Sequence, residues 1–168
     1  TRMGIRVLPP HVNESVAQFA AVGDHIRFGL LAVRNIGRAF VQELIAERET
    51  GGPFDDFFDF CTRMVPRREF NRPALDSLIR CGALDGLSAN RRQMLQIAPA
   101  LVAQLEDSAH RQVEGQMDFF GGGDAPENEL RLPRVDELPT AELLKMEKEV
   151  TGLYLSGHPM TPFAAWYK

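Results

Sequence analysis

Arg34-Asn35-Ile36-Gly37-Arg38 sets two guanidinium groups around a glycine, immediately before an apolar repeat at helical spacing formed by Phe40, Val41, Leu44 and Ile45. The chemistry open to this stretch is anion binding. A helix restarting at Gly37, Arg38 and Ala39 leaves backbone N–H groups without intrahelical partners at the positive end of its dipole, where a phosphate oxygen fits. Gly37 permits close backbone approach, and Arg34 and Arg38 supply charge. Such a contact reads backbone rather than base edges, so it is blind to nucleotide sequence. An ordinary helical hairpin turned by Asn and Gly carries the same residues, so one copy does not decide between the two readings. The plan recurs in Leu75-Asp76-Ser77-Leu78-Ile79-Arg80-Cys81-Gly82-Ala83-Leu84-Asp85, with Gly82 as the counterpart of Gly37 and Cys81 and Ala83 beside it. Arg91 and Arg92, near the start of the next helix, read either as phosphate contacts or as solvated surface.

A second stretch is chemically distinct. Gly115-Gln116-Met117-Asp118-Phe119-Phe120-Gly121-Gly122-Gly123 holds two adjacent aromatics between glycines in otherwise polar sequence. It can fill an apolar pocket on another protein, or fold back as a loop onto its own domain. No catalytic residue is assigned. His11, His25, His110 and His158 are scattered, and Cys61 and Cys81 lack metal-ligand spacing, so no metal site is expected and both cysteines are read as buried thiols. The sequence has no run long enough for a membrane span and no apolar signal-peptide core near Thr1, so a cytosolic protein without a membrane partner is expected. The bare ends at Thr1 and Lys168 read as those of a piece of something larger.

The elements that must hold these residues follow from charge and periodicity. A net charge of −4 conceals a polarity: residues 61–92 carry seven arginines against three acids, +4, and residues 106–149 carry twelve acids against five bases, −7. The basic block suits a phosphate backbone, and the acidic, proline-bearing block suits a linker or a protein-facing surface. Leu8-Pro9-Pro10 predicts an extended, turn-rich start. Phe19–Val22 and Ile26–Gly29, separated by Gly23-Asp24-His25, predict the one small β-hairpin. A short helix runs to about Arg34, a Phe-rich helix carries Phe54, Phe57, Phe58 and Cys61, and Ser88 caps a longer helix that Pro99 kinks or breaks. Its inward face is Met94, Leu95, Ala98, Leu101, Val102 and Leu105. Residues 124–139 read as a linker, and Thr140–Val150 as a helix with Leu143, Met146 and Val150 on one side.

These residues carry a resemblance to a known family. Leu8-Pro9-Pro10-His11-Val12-Asn13-Glu14-Ser15, Ile26-Arg27-Phe28-Gly29-Leu30, the two hairpins and Glu147-Lys148-Glu149-Val150-Thr151-Gly152-Leu153-Tyr154-Leu155-Ser156-Gly157-His158-Pro159 together closely resemble the alpha subunit of bacterial DNA polymerase III, the DnaE-type C-family replicative polymerase. The hairpins resemble helix-hairpin-helix motifs, with Asn35 where many members carry a first glycine. The resemblance implies a mainly α fold, a tandem helix-hairpin-helix bundle with one short β-hairpin near the N-terminus and a flexible loop plus helix at the C-terminal end. It divides the chain into the end of the fingers (1–29), the DNA-binding module (30–105), an acidic linker with a clamp-binding motif (106–139) and connecting helices toward an OB-fold (140–168). It implies a bacterial, cytoplasmic parent enzyme that is a DNA-directed DNA polymerase using Mg2+, whose catalytic carboxylates lie upstream, so that this segment is non-catalytic and holds no cofactor. The implied partners are duplex DNA, the sliding clamp (beta subunit) and the rest of the holoenzyme. Gln116, Met117, Asp118, Phe119 and Phe120 then form the clamp peptide, with Gln116 at the pocket rim, Met117 and Phe119 against its wall and Phe120 as deep anchor. Phe119 departs from the usual leucine or methionine. A purely architectural helical segment and a damage-tolerance paralogue without clamp binding remain alternatives.

Overall fold

Leu8, Pro9 and Pro10 place the first element against a sheet rather than in a free lead-in. In the computed structural model, which describes residues 4–113 and 130–160, β1 (Val7–Leu8) pairs in parallel with β3 (His25–Arg27), and β2 (Ala20–Val22) pairs antiparallel with β3 on its other side. The sheet therefore has three strands where the sequence predicts a two-stranded hairpin. A strand of two residues is too short to show alternation, and Pro9 and Pro10, which have no N–H to give a ladder, end it at once. The β2–β3 connection is Gly23-Asp24, one residue shorter than expected, with Val22 opposite His25 and Gly23 at φ +56°, as a two-residue hairpin requires.

The expected first helix of hairpin one is a single 3-10 turn, Leu30–Ala32, and α1 spans Arg38–Gly51. Leu30, Val33, Phe40, Val41 and Leu44 are buried beneath it. α2 (Phe57–Met64) starts at Asp56, whose side chain accepts the Asp59 N–H at 2.8 Å. Phe54, Phe57 and Phe60 are fully buried, with the Phe54 and Phe60 rings edge to face at 4.8 Å. α3 (Arg72–Arg80) is capped by Asn71, which accepts the Ala74 N–H, and carries Pro73 in its first turn, where a missing N–H costs nothing.

α4 (Arg91–Val113) runs unbroken through Pro99 and past residue 105. The proline removes one hydrogen bond and crowds the preceding turn, about 3 kcal/mol. Burial of Met94, Ile97, Leu101 and Val102, at about 1.5–3 kcal/mol each, outweighs that. Its cap is Asn90, not Ser88: Asn90 Oδ1 accepts the Gln93 N–H, and Gln93 Oε1 accepts the Asn90 N–H, a reciprocal box. Ser88 lies in the preceding turn with φ +59°.

Residues 130–139 are not a free linker. Leu130 and Leu132 pack on the core, and the segment then leads into α5 (Thr140–Thr151), whose buried face is Leu144, Met146, Glu147 and Val150. Among the described residues, one continuous core joins α1 to α5, and Val12 and Phe28 extend it to the sheet. Among the described residues, no helix is long and apolar enough to cross a membrane.

Cys61 and Cys81 are free and buried, as expected, and burial pushes both thiols up to about 12. A thiol reagent at pH 8 is expected to leave both unmodified in the native chain and to label both in denaturant. The folded-state values lie above the unfolded ones. The thiols' contribution to stability is therefore complete below about pH 9 and lost as pH rises toward about 12. Rapid labelling of native chain at pH 8 would contradict this.

Candidate nucleic-acid interface

In hairpin one, Asn35 holds the left-handed position at φ +63°, which asparagine tolerates, and its Nδ2 donates to the Ser77 hydroxyl of α3 at 3.2 Å. Asn35, rather than Gly37, is thus the conformational pivot. Gly37 is the N-cap of α1 in an extended conformation, with no side-chain hydrogen bond to the helix's first turn and no acidic residue in that turn. A methyl group placed on Gly37 would meet nothing within 4 Å, so the space above this helix end is open. Ile36 is buried and anchors the turn, while Arg34, Gly37, Arg38 and Ala39 are exposed. Neither Arg34 nor Arg38 forms an ion pair among the described residues. The Arg34 N–H donates to the Val150 carbonyl at 2.8 Å, so α5 braces the turn from behind. The result is an uncapped helix end with two uncommitted cations, which can accept an anionic oxygen.

Hairpin two is built differently. Gly82, at φ +81°, closes the C-terminus of α3, with the Ala83 N–H reaching back to the Leu78 carbonyl at 3.0 Å. A methyl group on Gly82 would lie 2.3 Å from Arg91 Nη2. The space beside the Gly82 Cα is filled by that guanidinium. Cys81 and Ala83 are fully buried. By conformation the counterpart of Gly82 is Asn35, not Gly37.

Arg91 itself is only 3% exposed, neither phosphate-facing nor solvated. Its Nε donates to Asp85 Oδ1 (3.0 Å), Nη1 to the Arg80 carbonyl (3.1 Å), and Nη2 to Asp85 Oδ2 (2.8 Å) and Glu147 Oε1 (3.0 Å). Glu147 is fully buried, and its other oxygen accepts the N–H groups of Leu155 (2.8 Å) and Ser156 (2.9 Å). Burial by itself would lower the Arg91 pKa; hydrogen bonds and charge from Asp85 and Glu147 more than offset it and hold the guanidinium above its ordinary value.

The arginine-rich block is largely self-neutralised. Arg63 and Arg67 pair with Glu47, Arg63 also with Asp59, Arg72 with Glu106, and Arg80 with Asp76 and Glu149. Arg92 is exposed and forms no ion pair among the described residues. Local charge along the chain therefore overstates the charge offered to a ligand. Of the residues expected to meet a phosphate, the structure leaves Arg34, Asn35, Gly37, Arg38 and Arg92 accessible and withdraws Ile36, Cys81, Gly82, Ala83 and Arg91 into the fold. Gln116, Met117, Asp118, Phe119 and Phe120 lie outside the described residues. Sequence reasoning missed Asp85, Glu137 and Glu147 as partners of hairpin two. Only the spacing of Asn90 and Gln93, a capping box, signalled how α4 begins.

Residues 4–94 match a family model described as a helix-hairpin-helix motif. Nearly the whole chain is also similar to DNA polymerase III alpha subunits. It is 36% identical over 96% of its length to that of Xylella fastidiosa, 39% over 97% to that of Mycobacterium leprae, and 38% over 94% to that of Thermus aquaticus. The chain spans about 14%, 14% and 12% of those relatives' lengths, respectively.

Proposed function

Because the chain belongs to the helix-hairpin-helix family and is homologous to a segment of DNA polymerase III alpha subunits, we propose that it holds duplex DNA for a polymerase and performs no chemistry itself. The observation that carries this reading is the open, uncapped start of α1, with Gly37 facing free space between exposed Arg34 and Arg38, which form no ion pair among the described residues. Backbone N–H groups and guanidinium groups grip phosphates, so binding is independent of sequence and falls steeply with salt. In this reading catalysis, with its Mg2+, belongs to parts of the longer polypeptide outside this chain. The second component of the proposal is docking on the sliding clamp through Gln116, Met117, Asp118, Phe119 and Phe120, supported by the form of that peptide and its position after the hairpins. The cell compartment that goes with this reading is the bacterial cytoplasm.

The test is a duplex titration followed by fluorescence anisotropy across a salt series. Wild-type chain is expected to bind unrelated duplexes equally at low salt. Arg34→Ala with Arg38→Ala is expected to weaken binding about tenfold and to flatten the dependence of log K on log salt by about two. No binding at low salt, or an unchanged slope in the double variant, would reject the reading. An architectural role is favoured for the Gly82 turn specifically, because its glycine is covered by Arg91 and that arginine is committed to two carboxylates.

A further inference from the structure

The two hairpins differ in one further respect. The start of α4 already holds an anion, and that anion comes from 45 residues away along the chain. Glu137 Oε2 accepts the Arg91 N–H at 2.9 Å, and Oε1 accepts the Arg92 N–H at 3.1 Å and the Leu138 N–H at 2.9 Å. The two oxygens bridge successive N–H groups at a helix start, which is how a phosphate group sits on such a turn. The same turn grips the segment's backbone: Gln93 Nε2 donates to the Pro133 carbonyl at 2.9 Å and Asn90 Nδ2 to the Val135 carbonyl at 3.0 Å. Leu130 and Leu132 anchor it to the core. Beside the bound carboxylate, Arg92 is exposed and forms no ion pair among the described residues. Glu137 is itself exposed, and its contact with the Arg92 N–H lies at the surface. By contrast, among the described residues no side chain caps the start of α1.

We propose that residues 130–139 form an intramolecular strap whose Glu137 carboxylate occupies an anion site at the start of α4, so that a nucleic-acid phosphate engages hairpin two only by displacing it. The proposal rests on the DNA-binding reading for the identity of the competing phosphate, but not for the existence of the site. Hairpin one is open at rest, and hairpin two is held shut by a carboxylate in the place of the ligand. Opening it would leave the Arg91–Asp85–Glu147 cluster in place, because that cluster uses the guanidinium and not the Arg91 N–H.

Two measurements on the 168-residue chain test this. In the first, inorganic phosphate is titrated while the backbone amide resonances of Arg91 and Arg92 are followed. They are expected to shift saturably in Glu137→Ala and in Glu137→Gln, and to stay unmoved in wild type over the same range. In the second, duplex affinity is compared for wild type, Glu137→Ala and Asp136→Ala; Asp136 is an exposed neighbouring acid with the same charge. Glu137→Ala is expected to bind about threefold tighter or better with a salt slope steeper by about 0.9, one added phosphate contact, whereas Asp136→Ala keeps the wild-type slope. Amides that ignore phosphate in both Glu137 variants, or that respond equally in wild type, overturn the proposal, as does an Asp136→Ala chain that matches Glu137→Ala in affinity and slope. If the amides respond as expected but no variant binds duplex, the strap stands and the DNA-binding reading falls.

Discussion

Glu147→Ala is expected to lower the unfolding free energy by about 3–5 kcal/mol, the cost of stripping one partner from a buried ion pair. The magnitude follows from what the carboxylate leaves behind. Arg91, 3% exposed, keeps its charge and among the described residues retains only Asp85 as a counter-ion, and the N–H groups of Leu155 and Ser156 lose their acceptor. A domain of this size has about 5–15 kcal/mol in total, so the variant should be marginal. Urea denaturation is the measurement: a midpoint far below wild type with little change in slope is expected. Glu147→Gln should lose less, since an amide oxygen can still accept a hydrogen bond. Replacing both partners by apolar residues, Arg91→Met with Glu147→Leu, removes the stranded charge but leaves the Arg80 carbonyl and the two N–H groups unpaired. It should recover only part of the loss. A wild-type midpoint for Glu147→Ala would show that the cluster contributes nothing to stability. The effect matters for function because α5 braces hairpin one through the Val150 carbonyl, so loosening α5 should also weaken DNA binding.

Phe120→Ala is expected to reduce binding to purified sliding clamp by about thirtyfold or more, within the proposed docking role. Deep aromatic anchors of short peptides typically carry 2 kcal/mol or more of the affinity, and burial of one such side chain contributes about 1.5–3 kcal/mol before ordering costs. Gln116→Ala should lose the rim hydrogen bond and bind more weakly than wild type. Phe119→Leu should bind more tightly, because leucine or methionine is usual at that place in the family that the chain resembles. The pair Phe120→Ala and Phe119→Leu therefore moves affinity in opposite directions, an outcome that nonspecific stickiness of an exposed Phe-Phe pair does not produce. Anisotropy with immobilisation-free clamp, or a pull-down with wild type and Phe120→Ala side by side, reads the result. A clamp that ignores wild type, or that captures Phe120→Ala equally, would sink the assignment.

Local signals were readable where chemistry acts over a few residues. The restart of α1 at Arg38, the glycine turn between β2 and β3, the Phe-rich α2 and the helix beginning at Thr140 all follow from periodicity and turn residues. The third strand was not readable, because two residues show no alternation. Pro99 does not break α4: its cost is local and visible, whereas the burial that overrides it is spread along the helix. The arginine block between residues 61 and 92 misled most, since several of its cations are neutralised by acids outside the block: Glu47 for Arg63 and Arg67, Glu106 for Arg72, Glu149 for Arg80 and Glu147 for Arg91.

The residues of Asn35 to Arg38 and Cys81 to Ala83 were enough to place two tight turns in a mainly helical chain, since turn geometry depends only on neighbours along the backbone. They were not enough to say which turn is open. That choice belongs to the tertiary structure. Glu147 and Asp85 draw Arg91 over Gly82, and Glu137 takes the Arg91 and Arg92 N–H groups at the start of α4, while among the described residues no equivalent acid reaches the start of α1. Two similar turns end in opposite electrostatic states because charges far apart in sequence are brought within 3 Å or so of one another by folding, a distance at which a carboxylate rather than solvent satisfies a cation.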